Sequence, residues 1–231
     1  MNSPLRQQDP SFVQGMFSSI AGRYDVANHL LSGGMDFLWR AEVARKVAAR
    51  SPEAILDLAT GSGDLAIALR KANPAASVVG ADFCLPMLER AREKGLPALV
   101  CADGLALPFR NDCFDVLTVA FGLRNMASWS KAISEMARVL RPGGCALILD
   151  FSLPEPPIRS VYCAYLCRLL PTIAGWITGE RSAYEYLGES IMSFPRGAEM
   201  EALLMQNGFS SARTQPLTLG VVSLYEAVKP R

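Results

Sequence analysis

The chain has 231 residues, 50% of them apolar and only 19% charged, enough to bury a sizeable core and close to the upper size of one α/β unit. Its 23 Lys and Arg against 22 Asp and Glu give a net charge of +1, which excludes a global field that would draw in nucleic acid. The six cysteines form no CxxC pair and no metal-ligand set with the one histidine, His29, so neither a disulfide scaffold nor a metal centre is expected.

The first fifty residues carry helical signals at 10–21, 26–31 and 37–49. The opening residues, MNSPLRQQDP, lack the apolar stretch and cleavage site of a secretory signal, so a cytoplasmic protein is expected. Short aliphatic runs then recur at 54–58, 77–81, 98–101, 113–120 and 145–150, separated by segments of helical period. That alternation predicts a parallel sheet covered on both faces. Residues 130–140 read as a helix with Ile133, Ala137 and Leu140 on one face, ended by Arg141-Pro142-Gly143-Gly144. An aromatic-rich helical region is expected over 153–193, and an antiparallel hairpin over 209–214 and 220–228. Within the former, the apolar stretch 158–177 is interrupted by Arg159, Arg168 and Pro171 and fails as a bilayer span.

The run Ile55 to Leu65 is a strand entering a glycine turn that opens a helix. Gly61 and Gly63 permit a tight turn and close approach of a ligand. A dinucleotide loop would carry a third glycine where this chain has Ala66, and the acid Asp64 is a poor neighbour for pyrophosphate. The acid favours a cationic ligand, a sulfonium-bearing amino acid above all. The next strand ends at Asp82, where a carboxylate can accept both hydroxyls of a ribose, and the third at Asp103-Gly104, beside the place of an adenine. These three strand ends in order predict a nucleoside site in a doubly wound, Rossmann-like α/β fold. The expected organisation is one domain over 1–231: an N-terminal helical lid (1–52), a cofactor-binding half (53–152), a helical pocket insertion (153–195) and a C-terminal helix and hairpin (196–231). The lid and the insertion read either as walls of a substrate pocket or as plain cover for the sheet.

Several stretches are more particular. Phe17-Ser-Ser-Ile-Ala-Gly-Arg-Tyr-Asp-Val-Ala-Asn28, Phe121-Gly-Leu-Arg-Asn125 and Tyr186-Leu-Gly-Glu-Ser-Ile191, with the glycine loop, Ala106-Leu-Pro-Phe109, Arg138-Val-Leu-Arg-Pro-Gly-Gly144 and Gly220-Val-Val222, resemble the ubiquinone/menaquinone biosynthesis C-methyltransferase family along nearly the whole chain. The resemblance implies a class I methyltransferase with a seven-stranded sheet, S-adenosyl-L-methionine as cofactor and a polyprenylated quinol as substrate: a demethylmenaquinol first, a ubiquinol precursor or both. The cofactor residues it implies are Asp57, Ala59, Gly61, Ser62, Gly63, Asp82, Phe83, Asp103, Gly104 and Ala120. The last is a departure, because some members carry a serine there. His29, where members commonly have an acid, and Ser193-Phe194-Pro195, where a histidine precedes the proline, are two more.

Methylation of a ring carbon requires an adjacent hydroxyl to lose its proton and the ring carbon to lose one afterwards. Arg124 is expected to stabilise the phenolate or orient a water, with Asn125 beside it and Asp25 as the acceptor; the alternative is that Arg124 pairs with Asp25 to dock the lid. His29 reads as a structural or solvated residue, and Tyr184 and Tyr186 as either ring-pocket walls or packing. Contact with the inner surface of a membrane and a homodimer stay open as partnerships. Three rival classes are weaker. A nicotinamide oxidoreductase lacks room at Asp64, a nucleic-acid base methyltransferase would carry an Asp/Asn-Pro-Pro-aromatic motif where Phe121 to Arg124 stand, and a non-catalytic subunit of a quinone-synthesis complex has no reason to keep Asp82, Arg124 and Asn125.

Overall fold

The structure is a computed structural model that describes Val13, Gly15 and residues 32–166 and 181–231, the side chains of 181–184 excepted. The expected helices at 10–21 and 26–31, and most of 158–177, therefore lie outside the described residues. Helix α1 (Met35–Ala48) leads into β1 (Ala54–Leu58), α2 (Asp64–Ala72), β2 (Ser77–Asp82), α3 (Leu85–Glu93), β3 (Leu99–Cys101) and β4 (Phe114–Ala120). There follow a short 3-10 turn (Leu123–Asn125), α4 (Trp129–Val139), β5 (Leu140–Phe151), α5 (Ile158–Ala164), α6 (Arg181–Ser193), α7 (Ala198–Gln206), β6 (Ser211–Leu217) and β7 (Val222–Val228). Among the described residues no helix is long and apolar enough to cross a membrane.

The seven strands form one sheet in the order β3-β2-β1-β4-β5-β7-β6. Strands β1 to β5 are parallel, and β7 runs antiparallel between β5 and β6. The predicted mostly parallel sheet with a terminal antiparallel hairpin is thus present. Chain order reverses between β1 and β4, and such a switch point opens a crevice at the carboxyl ends of the strands.

Side-chain alternation divides the core. Leu56, Leu117, Val119, Ala146 and Ile148 join Ile133 and Met136 of α4 and Leu204 of α7 on one face. Ile55, Val116, Leu147 and Leu149 join Val43 of α1 and Leu65 and Leu69 of α2 on the other. Burying each such side chain contributes about 1.5–3 kcal/mol, so both layers hold the strand ends in register. Ser128 caps α4 by accepting the N–H of Lys131, at 3.3 Å.

The helix expected at 130–140 ends at Val139, and the strand expected at 145–150 starts earlier, at Leu140. Arg141 to Gly144 lie within β5, whose register with β4 steps from Phe114–Leu140 to Val116–Cys145. The surplus residues form a bulge, where proline needs no ladder hydrogen bond and the backbone can bend. A Cβ on Gly144 would stand 2.8 Å from the carbonyl oxygen of Arg141 and 3.0 Å from that of Asp115, so only glycine fits this fold-back.

Candidate active site

The carboxyl ends of β1, β2 and β4 meet around residues 59–63. Asp82 closes β2 beneath this loop. Its Oδ2 accepts the N–H of Gly61 at 2.8 Å and its Oδ1 that of Cys84 at 2.9 Å. Burial pushes the Asp82 carboxyl up, and the backbone donors work against that rise. Asp57, only 1% exposed, accepts the hydroxyl protons of Thr60 and Thr118, both at 2.7 Å. Burial pushes Asp57 up to about 6 despite these two bonds and the attraction of Arg40.

Three adjoining cavities follow this edge. One is lined by Asp57, Ala59, Gly61, Ser62 and Ala120, with Arg40 of α1. The second adds Asp82, Phe83 and Asn125, and the third continues to Asp103 and Gly104. Of the residues expected at the cofactor, only Gly63 is set back from these walls. It has φ +89°, and a Cβ there would stand 2.3 Å from Leu96 Cδ1 and 3.1 Å from Ala91 Cβ. Gly63 therefore serves the packing of the loop against α3 and the turn after it.

The part given to Asp64 needs correction. Its Oδ1 is 2.6 Å from Lys94 Nζ, which also reaches Ser62 Oγ at 3.1 Å, and its Oδ2 is 3.9 Å from Arg40 Nη2. A carboxylate answered by two cations exerts little net pull on a third. The buried acid at this end of the crevice is Asp57. Nothing local announced the pairing, because Lys94 lies at the end of α3 and meets the loop only in the folded sheet.

At the other end, Phe121 leaves β4 with φ +58° and the 3-10 turn presents Arg124 and Asn125. Asn125 lines two of the cavities; its Nδ2 donates to the carbonyl of Phe121 at 3.2 Å and its Oδ1 accepts the hydroxyl of Tyr186 at 3.1 Å. Burial pushes the Tyr186 hydroxyl up. Arg124 turns inward and is 7% exposed. Its Nη1 donates to Asp150 Oδ1 and to the Phe121 carbonyl, both at 2.7 Å, and its guanidinium lies 5.3 Å from the centre of the Phe151 ring.

Asp25, the partner expected for Arg124, lies outside the described residues, as do Tyr24, His29 and the side chain of Tyr184. The described partner is Asp150, which sequence reasoning treated only as the end of a strand. Its one signal was an acid closing an otherwise apolar run. Arg124 Nε is buried and has no hydrogen-bond partner among the described residues. In the third departure Ser193 donates its hydroxyl to the Ser190 carbonyl at 3.2 Å, and Phe194, which precedes the proline, is buried edge-on against Trp129 with ring centres 5.4 Å apart.

Comparison with known proteins agrees with this architecture. The profile of the ubiE/COQ5 methyltransferase family matches residues 5–229. A protein of Thermus thermophilus named demethylmenaquinone methyltransferase is 46% identical over 223 residues, covering 93% of this chain and 100% of its own. A SAM-dependent methyltransferase of Thermotoga maritima shares the fold with a TM-score of 0.68 at 14% identity, over 94% of this chain and 99% of its own. An N-methyltransferase of Haemonchus contortus, solved with S-adenosylhomocysteine, shares it with a TM-score of 0.56 at 15% identity, over 78% of this chain and 49% of its own. A match running from residue 5 to residue 229, on a sheet of this order, makes the assignment: the chain belongs to the ubiE/COQ5 methyltransferase family.

Proposed function

We propose that the chain transfers a methyl group from S-adenosyl-L-methionine to a ring carbon of a demethylmenaquinol, with polyprenylated precursors of ubiquinol as a second acceptor class. The observation that carries the cofactor reading is Asp82. Backbone N–H groups, those of Gly61 and Cys84 among them, hold its two oxygens in place, on a carboxylate that lines the crevice. Such a group suits the two hydroxyls of a ribose. Asp103 and Gly104 further along fit an adenine, and the cavity at Asp57, Gly61 and Ser62 fits the amino-acid end. The Thermus relative's name supports demethylmenaquinol as the acceptor.

The cofactor supplies an electrophilic methyl carbon bound to a sulfonium that leaves as a neutral thioether. The protein must place the ring carbon in line with that bond and keep water out. Asn125 lines the crevice where a ring hydroxyl would sit. Arg124 lies behind it, oriented by Asp150, and its positive charge favours the phenolate form of that hydroxyl. The ring hydroxyl surrenders one proton before attack, and the methylated carbon then loses its hydrogen as a second proton to restore aromaticity. Asp25 as the acceptor rests on the sequence alone. The exposed Ile158 and Val161 of α5 support an approach to a prenyl tail or a bilayer surface.

The test is transfer from methyl-labelled S-adenosylmethionine to reduced demethylmenaquinone and to a demethylated benzoquinol precursor in detergent, with the methylated atom identified by mass spectrometry. Label on the ring carbon is expected. Cofactor binding without transfer to either quinol class would reject the acceptor.

A further inference from the structure

The reaction leaves one feature of the crevice unused. Arg40, on α1 and well ahead of the first strand, is 8% exposed and lines the cavity formed by Asp57, Gly61 and Ser62. Its Nη1 is paired with Asp36, itself 2% exposed and held by the hydroxyl of Ser32 at 2.9 Å. Its Nη2 lies 3.9 Å from Asp64 Oδ2, too far for a hydrogen bond. Asp64 takes its close contact from Lys94 instead. The guanidinium is thus anchored through one nitrogen at the wall of a cavity whose opposite pole is the buried Asp57.

A wall with one fixed cation and one buried acid is complementary to a zwitterion. The α-amino acid end of the proposed cofactor is one, with a carboxylate and an ammonium on the same carbon. A guanidinium presents a planar fork that matches a carboxylate, and its charge is permanent. Lys94, the other cation nearby, is more exposed and is committed to Asp64 and Ser62. We propose that Arg40 receives the α-carboxylate of the cofactor's methionine portion, with Asp36 as the positioning residue that aims the guanidinium. The proposal rests on the cofactor reading above. It also gives α1 a direct part in ligand binding that no glycine-loop motif contains.

The experiment compares two ligands by calorimetry on the full chain: S-adenosylhomocysteine and the analogue that lacks only the α-carboxylate. The wild type is expected to prefer the carboxylate-bearing ligand by about tenfold to hundredfold, the range of a charged hydrogen bond. Arg40→Met is expected to bring that preference close to unity while leaving affinity for the analogue nearly unchanged, and Arg40→Lys to keep part of it. Because Arg40→Met removes a cation from beside the buried Asp36, the double variant Asp36→Asn/Arg40→Met serves as the folding-safe version, checked by thermal melting. Equal affinity of the wild type for both ligands, or an undiminished preference in the folded double variant, overturns the role of Arg40. Failure of the wild type to bind either ligand overturns the cofactor reading itself, and is thereby distinguishable.

Discussion

Two buried carboxylates stand at the carboxyl edge of the sheet, Asp82 at the end of β2 and Asp150 near the end of β5, and the fold holds them by opposite means. Asp82 is gripped by neutral backbone amides from Gly61 and Cys84. Asp150 is met by a full charge, the guanidinium of Arg124 at 2.7 Å. Burial pushes both carboxyls up, with amides opposing the rise at one and mainly Arg124 at the other. Amide dipoles orient a carboxylate without cancelling it, so Asp82 keeps its capacity to bind hydroxyls. An ion pair commits the carboxylate to one neighbour, so Asp150 acts as the anchor that orients Arg124. The same residue type at equivalent strand ends thus faces a ligand in one place and positions a guanidinium in the other.

The sharpest way to break this contrast is Arg124→Ala. It strands Asp150 in the core and is expected to destabilise the fold by about 3–5 kcal/mol, read as a lower urea midpoint. Stability within about 0.5 kcal/mol of wild type would show that Asp150 does not depend on its counter-ion. Asp82→Ala is expected to do the reverse, weakening S-adenosylhomocysteine binding by about a hundredfold, through loss of two charged hydrogen bonds, with a smaller change in the melt. An unchanged dissociation constant would place the ribose elsewhere.

Asp57 sharpens the comparison through pH. Its folded-state value of about 6 lies above its ordinary 3.8, so the native state holds the proton more tightly than the unfolded one. Its contribution to stability is therefore greatest below pH 4, declines as pH rises through the interval from 4 to 6, and is gone above it. Asp57→Asn should remove that decline, with a difference in slope of at most about 1.4 kcal/mol per pH unit. Parallel curves for the two proteins in acid titrations of the melt would refute the assignment. The smallest effect is expected of Tyr186→Phe, which deletes the hydroxyl bonded to Asn125 and should cost about 0.5–1.5 kcal/mol, in stability or in the barrier to transfer. A kcat and melt both equal to wild type would leave Asn125 positioned by its own bond to Phe121.

Most of the sheet was legible because its signals are local. Runs of apolar residues at 54–58, 77–81 and 113–120 needed no partner to be read, and Asp82 and Asp103 stood out because strand ends converge in a parallel sheet. The pairings were not legible. Asp64 meets Lys94, and Arg124 meets Asp150, only once separate strand–helix units have packed side by side. Arg40 had a local trace, an acid four residues earlier on the same helix, but i,i+4 pairs are common on solvent-facing helix surfaces and nothing in the spacing says which face is buried. The early start of β5 was not legible for a related reason: proline and glycine stop a helix without saying whether a strand already runs through them.

The place of β7 in the sheet bears on how the protein is made. Residues 145–149 of β5 are fully enclosed, yet one flank of that strand is covered by β7, which follows only after the whole stretch from 152 to 221 has been synthesised. On the ribosome, β1 to β4 can assemble early, while β5 waits with an open, strongly apolar edge. Such an edge invites pairing with other nascent chains. A translational stall or proteolytic cut within that stretch is therefore expected to yield an aggregating fragment that calls on chaperones, whereas release of the completed hairpin seals the edge at once.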